Sequence, residues 1–174
     1  TANDYSGKYF RLGADITFTH PDKETDDYAE NYEAIGGYYN GTNRYFKGMF
    51  DGDGHTVSGI RIRKEGSGNA NDSQGLFGLI GNGANIHDAR IQGYDRVGGI
   101  VGGISVALNG SGVTVSGCSV TDSYITATSS SYGIICGSNT RGYSDGTLAN
   151  NYYHGCTVNG TAVTSGKGCG SGNK

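Results

Sequence analysis

Tryptophan is absent from this 174-residue sequence, and proline and methionine occur once each. No apolar run approaches the length of about 20 residues that a membrane-spanning helix needs, so a membrane-embedded protein is not expected. There is no excess of positive charge either: 13 Lys and Arg stand against 16 Asp and Glu, a formal net charge of −3. That balance leaves no electrostatic footprint for a polyanion, and nucleic acid is excluded as an expected partner. Helical periodicity is missing as well, with no convincing 3.6-residue pattern along the chain. The chain starts at Thr1 with no apolar signal core behind it, and is expected to be a processed or excised part of a larger polypeptide.

Glycine fills part of that space, at 33 residues. Its share is far above the usual level of about 7%. No Gly-X-Y period accompanies it, so collagen is excluded. With 13 Tyr and 5 Phe and only 17% charged residues, the composition is also unlike a disordered chain. Short β-rich runs broken by Gly, Asn, Asp and Ser dominate, and the sequence reads as all-β. Turns are expected at Asn40-Gly41, Asn82-Gly83, Asn109-Gly110 and Asn159-Gly160, because both residue types tolerate positive φ.

Two elements alternate along the chain. The first is Gly followed by apolar residues: Gly48-Met49-Phe50, Gly75-Leu76-Phe77, Gly99-Ile100-Val101 and Gly133-Ile134-Ile135. Gly75, Gly99 and Gly133 are expected to begin equivalent strands, with Leu76, Ile100 and Ile134 in register. The second runs Val57..Ile60.Ile62, Ile86..Ala89.Ile91, Val115..Cys118.Val120 and Tyr153..Cys156.Val158. Units of roughly 25–40 residues that cannot bury an apolar side alone must stack on one another. Stacking predicts inward ladders of Ile60, Ala89, Cys118 and Cys156, and beside them Ile62, Ile91, Val120 and Val158. The fold class expected is an all-β, right-handed parallel β-helix, a solenoid of about five coils. A β-sandwich of unrelated hairpins is the alternative. One domain spans 1–174, with an N-terminal cap and acidic insertion over about 1–45, repeats over about 46–163 and a flexible tail at 164–174.

The stretch Phe46-Lys47-Gly48-Met49-Phe50-Asp51-Gly52-Asp53-Gly54-His55-Thr56-Val57-Ser58-Gly59-Ile60 follows an opening unit, Tyr9 to Ile16, and an Ile35-Gly36 turn. Together with the Gly-Leu-Phe-Gly and Gly-Gly-Ile-Val-Gly elements behind it, this pattern resembles the glycine-rich GLUG motifs. They occur in large surface and secreted proteins of gut bacteria and in precursors of immunoglobulin A peptidases. The resemblance covers about residues 8–163; the acidic insertion at 20–33 departs from it. It implies a non-catalytic β-helical module attached to other domains, at the cell surface or outside the cell. It carries no peptidase activity, since a His-Glu-x-x-His pair is absent here.

No other signature supplies a catalytic centre or a cofactor, and none is expected. His20, His55, His87 and His154 lack ligand spacing with one another or with a Cys pair. There is no nucleophile elbow and no phosphate loop. Asp51-Gly52-Asp53-Gly54-His55 opens like a calcium loop, but Ile62 occupies the position of the bidentate acid. The resemblance implies a turn role for this stretch, with Asp51 and Asp53 kept as a calcium candidate. The acids Asp22, Glu24, Asp26, Asp27, Glu30 and Glu33 read as a solvated excursion, or else as a cation site or a contact for a basic partner. Cys118 and Cys156 are expected to be buried free thiols stacked in adjacent coils; four Cys also allow three disulfide connectivities.

Seven of the 13 tyrosines lie within the first 45 residues. They can cover the open end of a stacked fold. Alternatively, Tyr38 and Tyr39 beside Asn40 and Asn43 join an aromatic platform to amide hydrogen-bonders, a combination suited to a host glycan or glycoprotein. The function expected is adhesion, ligand binding or a stalk role. The alternative is a polysaccharide-processing β-helix enzyme, a lyase or hydrolase, whose carboxylates would be Asp51 and Asp53 near Arg61, Arg63 and Lys64.

Overall fold

The computed structural model of the chain describes residues 4–19, 31–62, 74–92, 95–96, 99–104, 113–125, 134–139 and 148–163. The tail 164–174, most of the acidic insertion, Asn109-Gly110, Gly133 and Cys169 lie outside the described residues. Among the described residues the chain is all-β, with no helix long and apolar enough to cross a membrane.

The strands are short. The first are β1 (Tyr9–Arg11) and β2 (Ile16–Thr17), followed by β3 (Gly37–Tyr39) and β4 (Thr42–Arg44). Then come β5 (Met49–Asp51) and β6 (Thr56–Ser58). Next are β7 (Phe77–Ile80), β8 (Asn85–His87), β9 (Arg90–Gln92) and β10 (Asp95–Arg96). After these lie β11 (Val101–Ile104), β12 (Thr114–Ser116), β13 (Ser119–Thr121) and β14 (Tyr124–Ile125). The last are β15 (Cys136–Asn139), β16 (Leu148–Ala149), β17 (Tyr152–His154), β18 (Thr157–Val158) and β19 (Thr161–Ala162).

Apart from β3–β4 and β18–β19, consecutive strands among the described residues do not pair with each other; each pairs with strands further away along the chain. Sheet orders are β1-β5-β8-β12-β16, β2-β6-β9-β13-β17, β10-β14-β18-β19 and β7-β11-β15. Among the described residues, twelve of the fourteen strand pairings are parallel, and the two exceptions are the hairpins β3–β4 and β18–β19. Parallel neighbours need a long connection, and here the remaining strands of the repeat supply it.

Side chains alternate along each strand, so one residue per three-residue strand points inward. In the first sheet the central ladder is Phe10, Phe50, Ile86, Val115 and Leu148. In the second it is Ile16, Val57, Ile91, Val120 and Tyr153. Ile86, Ile91, Val115 and Val120 are fully buried within one hydrophobic cluster that runs from Ala34 to Val158. Burying each such side chain stabilises the fold by about 1.5–3 kcal/mol. Near the N-terminal end the filling is aromatic: Phe77 lies 4.8 Å from Phe46 and 5.2 Å from Phe50, centroid to centroid.

Two ladder assignments made from sequence need correction. Ile86 with Val115, and Ile91 with Val120, pair as expected. Val57, however, pairs with Ile91 rather than standing level with Ile86, and Tyr153 pairs with Val120 rather than Val115. Val158 pairs with Ile125, not Val120. Cys118 and Cys156, both buried and both free in this structure, consequently sit at different corners. The amide of Tyr152 donates to the Cys118 carbonyl, and that of Thr157 to the Ser123 carbonyl, so Cys156 lies over Ser123.

The cause is that both corners share one local signature. A left-handed residue precedes a small or apolar buried one at the first corner (Asp88-Ala89, Gly117-Cys118) and at the second (Gly59-Ile60, Asp122-Ser123, Gly155-Cys156). The same apolar spacing therefore fits either corner. In the Gly-apolar element, Phe77 pairs with Val101 as expected, but Val101 pairs with Cys136. This sets Ile135, not Ile134, level with Ile100.

Candidate functional site

The β3–β4 hairpin carries the four sequence-predicted binding residues. Asn40 and Gly41 have φ of 47° and 80°, the two positive values of a tight two-residue turn. Register pairs Tyr38 with Asn43 and Tyr39 with Thr42, which brings Tyr38, Tyr39, Asn40 and Asn43 into one loop. Tyr39 is half-buried: its hydroxyl donates to the Ala34 carbonyl at 3.1 Å, and the Arg44 guanidinium lies 5.2 Å from its ring centroid. Burial, and then the Glu33 carboxylate, push its phenol upward. One face of the Tyr39 ring is thus occupied within the protein. Asn43 donates from Nδ2 to the Tyr45 hydroxyl at 3.0 Å, while Asn40 is exposed.

The calcium candidate is differently engaged. Asp51 Oδ2 accepts the Tyr9 hydroxyl at 2.7 Å, and Oδ1 accepts the Asp53 backbone N–H at 2.8 Å. These two bonds, in that order, hold the Asp51 carboxyl below its usual range. The Asp53 carboxylate pairs with Arg11. Asp51 thus bonds within its own turn, whereas the Asp53 carboxylate reaches out of it to β1.

A different group assembles beside it. Ligand atoms of Asp51, His87 and Asp88 lie within 4.8 Å of one another. His87 Nδ1 stands 3.0 Å from Asp88 Oδ2 and 3.6 Å from Asp51 Oδ1. These three residue types can hold a divalent cation, although His87 is already hydrogen-bonded to Asp88, and Asp51 to the Tyr9 hydroxyl and the Asp53 N–H. Spacing along the chain does not reveal this neighbourhood. It arises because β5 and β8 pair with Asp51 opposite His87. A second link of the same kind joins Asp15 to His55 at 3.2 Å and to the Thr56 N–H at 2.9 Å. That backbone bond and then His55 lower the Asp15 carboxyl.

No family model, no curated protein and no solved structure matches the chain.

Proposed function

We propose that the chain is a non-catalytic repeat module of the GLUG type, a right-handed parallel β-helix of about five coils, belonging to a bacterial cell-surface or secreted protein. It serves adhesion or ligand binding, with a host glycan or glycoprotein as partner, and doubles as a spacer between other parts of a larger polypeptide. The observation that carries this reading is the recurrence of successive strands in the same parallel sheets, with buried apolar residues paired across them. Such a frame holds surface loops at fixed spacing and needs no cofactor to do so. The acids that an enzyme reading would use, Asp51 and Asp53, are bound to Tyr9, a backbone N–H and Arg11, which favours binding over hydrolysis.

The hairpin is one proposed contact, with Tyr38 and Asn40 toward the ligand and Tyr39 anchoring the loop. A glycan array probed with the intact domain tests the reading. Specific retention is expected, lost in Tyr38→Ala with the melting temperature unchanged. Release of shortened product from a bound polysaccharide would replace it with the lyase or hydrolase.

A further inference from the structure

The outward side of the second sheet carries a groove that the hairpin does not explain. Ile91, Val120 and Tyr153 point inward, so their neighbours point out. Register sets Thr56, Arg90, Ser119 and Tyr152 in one outward ladder, and Ser58, Gln92, Thr121 and His154 in the next. Between them lies a cavity of about 390 Å³, lined in part by Arg90, Gln92, Ser119, Thr121, Asn150 and Tyr152. We propose that this groove binds an acidic oligosaccharide, with a sugar carboxylate on Arg90 and a sugar ring on Tyr152.

Three features support that ligand chemistry. Tyr152 is 58% exposed, and its ring lies parallel to the imidazole of the exposed His154 with centroids 6.5 Å apart, so two aromatic rings stand together at the surface. A pyranose offers an exposed tyrosine ring an apolar face while its hydroxyls reach polar groups at the rim. Those groups are present in the amides of Gln92 and Asn150 and the hydroxyls of Ser119 and Thr121. Arg90 is exposed and makes no ion pair among the described residues, and no carboxylate lines the groove. Asp15, whose carboxyl Arg90 lowers through space, is bonded to His55 and the Thr56 N–H. The guanidinium fork is therefore available for a bidentate carboxylate.

Geometry sets the size of the ligand. Arg90 and Tyr152 lie two strands apart, about 10 Å, a span for a short oligosaccharide rather than one sugar. A peptide adding as a strand would lie along an edge, β2 or β17, whereas Arg90 stands on the interior strand β9, so a ligand that joins it to Tyr152 crosses strands rather than extending the sheet. With one cation in the groove and a net charge of −3, nucleic acid is disfavoured. None of the lining residues is an acid, so the carboxylate pair that glycoside hydrolysis uses is not among them.

This inference rests on the glycan-binding reading above but places the ligand on a different sheet from the hairpin. The test is calorimetric titration of the intact chain with a panel of galacturonate, guluronate and glucuronate-containing oligomers, and with their carboxyl-reduced counterparts. At least one uronate oligomer should bind, weaken with salt, and lose about tenfold or more in affinity in Arg90→Ala and in Tyr152→Ala. The reduced oligomer should bind at least tenfold more weakly than its parent, and both variants should melt as the unaltered protein does. Binding of uronates that survives both substitutions overturns the groove, as does binding abolished only by Tyr38→Ala. Equal binding of the reduced oligomer overturns the charge assignment. If the panel does not bind while a neutral glycan does, the groove proposal fails and the adhesin reading stands; if no glycan binds at all, both fall and a spacer role remains.

Discussion

Glycine's abundance reflects several distinct steric demands, and substitution separates them. At Gly99 an added Cβ would run into the Ile134 carbonyl oxygen and the Val120 side chain. Backbone cannot swing aside as a flexible side chain can, so the segments carrying Gly99 and Ile134 would have to part. Gly117, with φ of 62°, lies at a corner where the Cβ would meet Asp88 Oδ1 at 2.5 Å, an atom on a short side chain. Gly160, at φ of 76°, has nothing within 4 Å. Alanine at Gly160 should cost about 1–2 kcal/mol from the left-handed backbone alone. Gly117→Ala should cost more, and Gly99→Ala the most, above about 3 kcal/mol. Denaturant unfolding of the three variants checks that order; a Gly99→Ala protein as stable as Gly160→Ala would show that the rounds are not packed this closely. Asp51 gives a pH-dependent counterpart. Its folded-state carboxyl is lowered by Tyr9 and then by the Asp53 N–H, so its contribution is present above the ordinary carboxylate range and is lost as pH falls toward the lowered value. Tyr9→Phe should therefore destabilise at neutral pH, and the difference from the unaltered protein should shrink on acidification to about pH 2. A constant difference across that range would mean that the hydroxyl does not act through the Asp51 charge.

At the scale of strands and corners, Asn151 shows how the last repeats replace a missing neighbour. It occupies the corner level with Cys118, where its Oδ1 accepts the Cys118 N–H at 3.0 Å and its Nδ2 donates to the Val115 carbonyl at 2.9 Å. Asn31 makes the same pair of bonds near the other end, to the Arg61 N–H at 2.7 Å and the Gly59 carbonyl at 2.9 Å. Both side chains satisfy backbone groups at a bend where no strand can. Asn151→Ala should cost about 1–3 kcal/mol, the penalty of leaving partly buried backbone groups unpaired, and Asn151→Asp should recover only the acceptor half. Thermal unfolding of the two variants measures this. Much of this level is legible in sequence. Apolar alternation marks the strands, and Asn40-Gly41 and Asn159-Gly160 mark the two hairpins. The phase of the ladders is harder to read, because Gly59-Ile60 and Gly155-Cys156 look like Gly117-Cys118 while turning a different corner. The adjacent pair Ile134-Ile135 hides a one-residue slip for a related reason, since either residue satisfies the apolar pattern. The cluster of Asp51, His87 and Asp88 is invisible until the register of β5 against β8 is known. The groove at Arg90 and Tyr152 depends in the same way on β9, β13 and β17 lying side by side.

Across the whole molecule, stability should be distributed by the number of paired neighbours that each strand possesses. β8, β9, β12 and β13 are flanked by strands on both sides, whereas β1, β2, β16 and β17 are edges. The edge at the start is also the less buried one: every residue of β1 and β2 is exposed, with Phe10 and Ile16 holding ladder positions that are filled by buried residues further along. At the other end β19 folds back antiparallel on β18, and the Val163 amide donates to the Cys156 carbonyl, covering the edge of that sheet. In a stack where each unit contacts only its neighbours, opening begins at the ends and the middle opens last. Hydrogen exchange followed by mass spectrometry should therefore give the slowest amides in β8, β9, β12 and β13, intermediate ones in β18 and the fastest in β1 and β2. Ile91→Ala, which removes a fully buried ladder residue at a cost of about 2–5 kcal/mol, should speed exchange across the central rounds. Phe10→Ala should speed it only in β1 and β5. Equal protection in β1 and β13, or a Phe10→Ala effect that reaches β13, would mean that the rounds unfold as one cooperative unit and would refute the nearest-neighbour account.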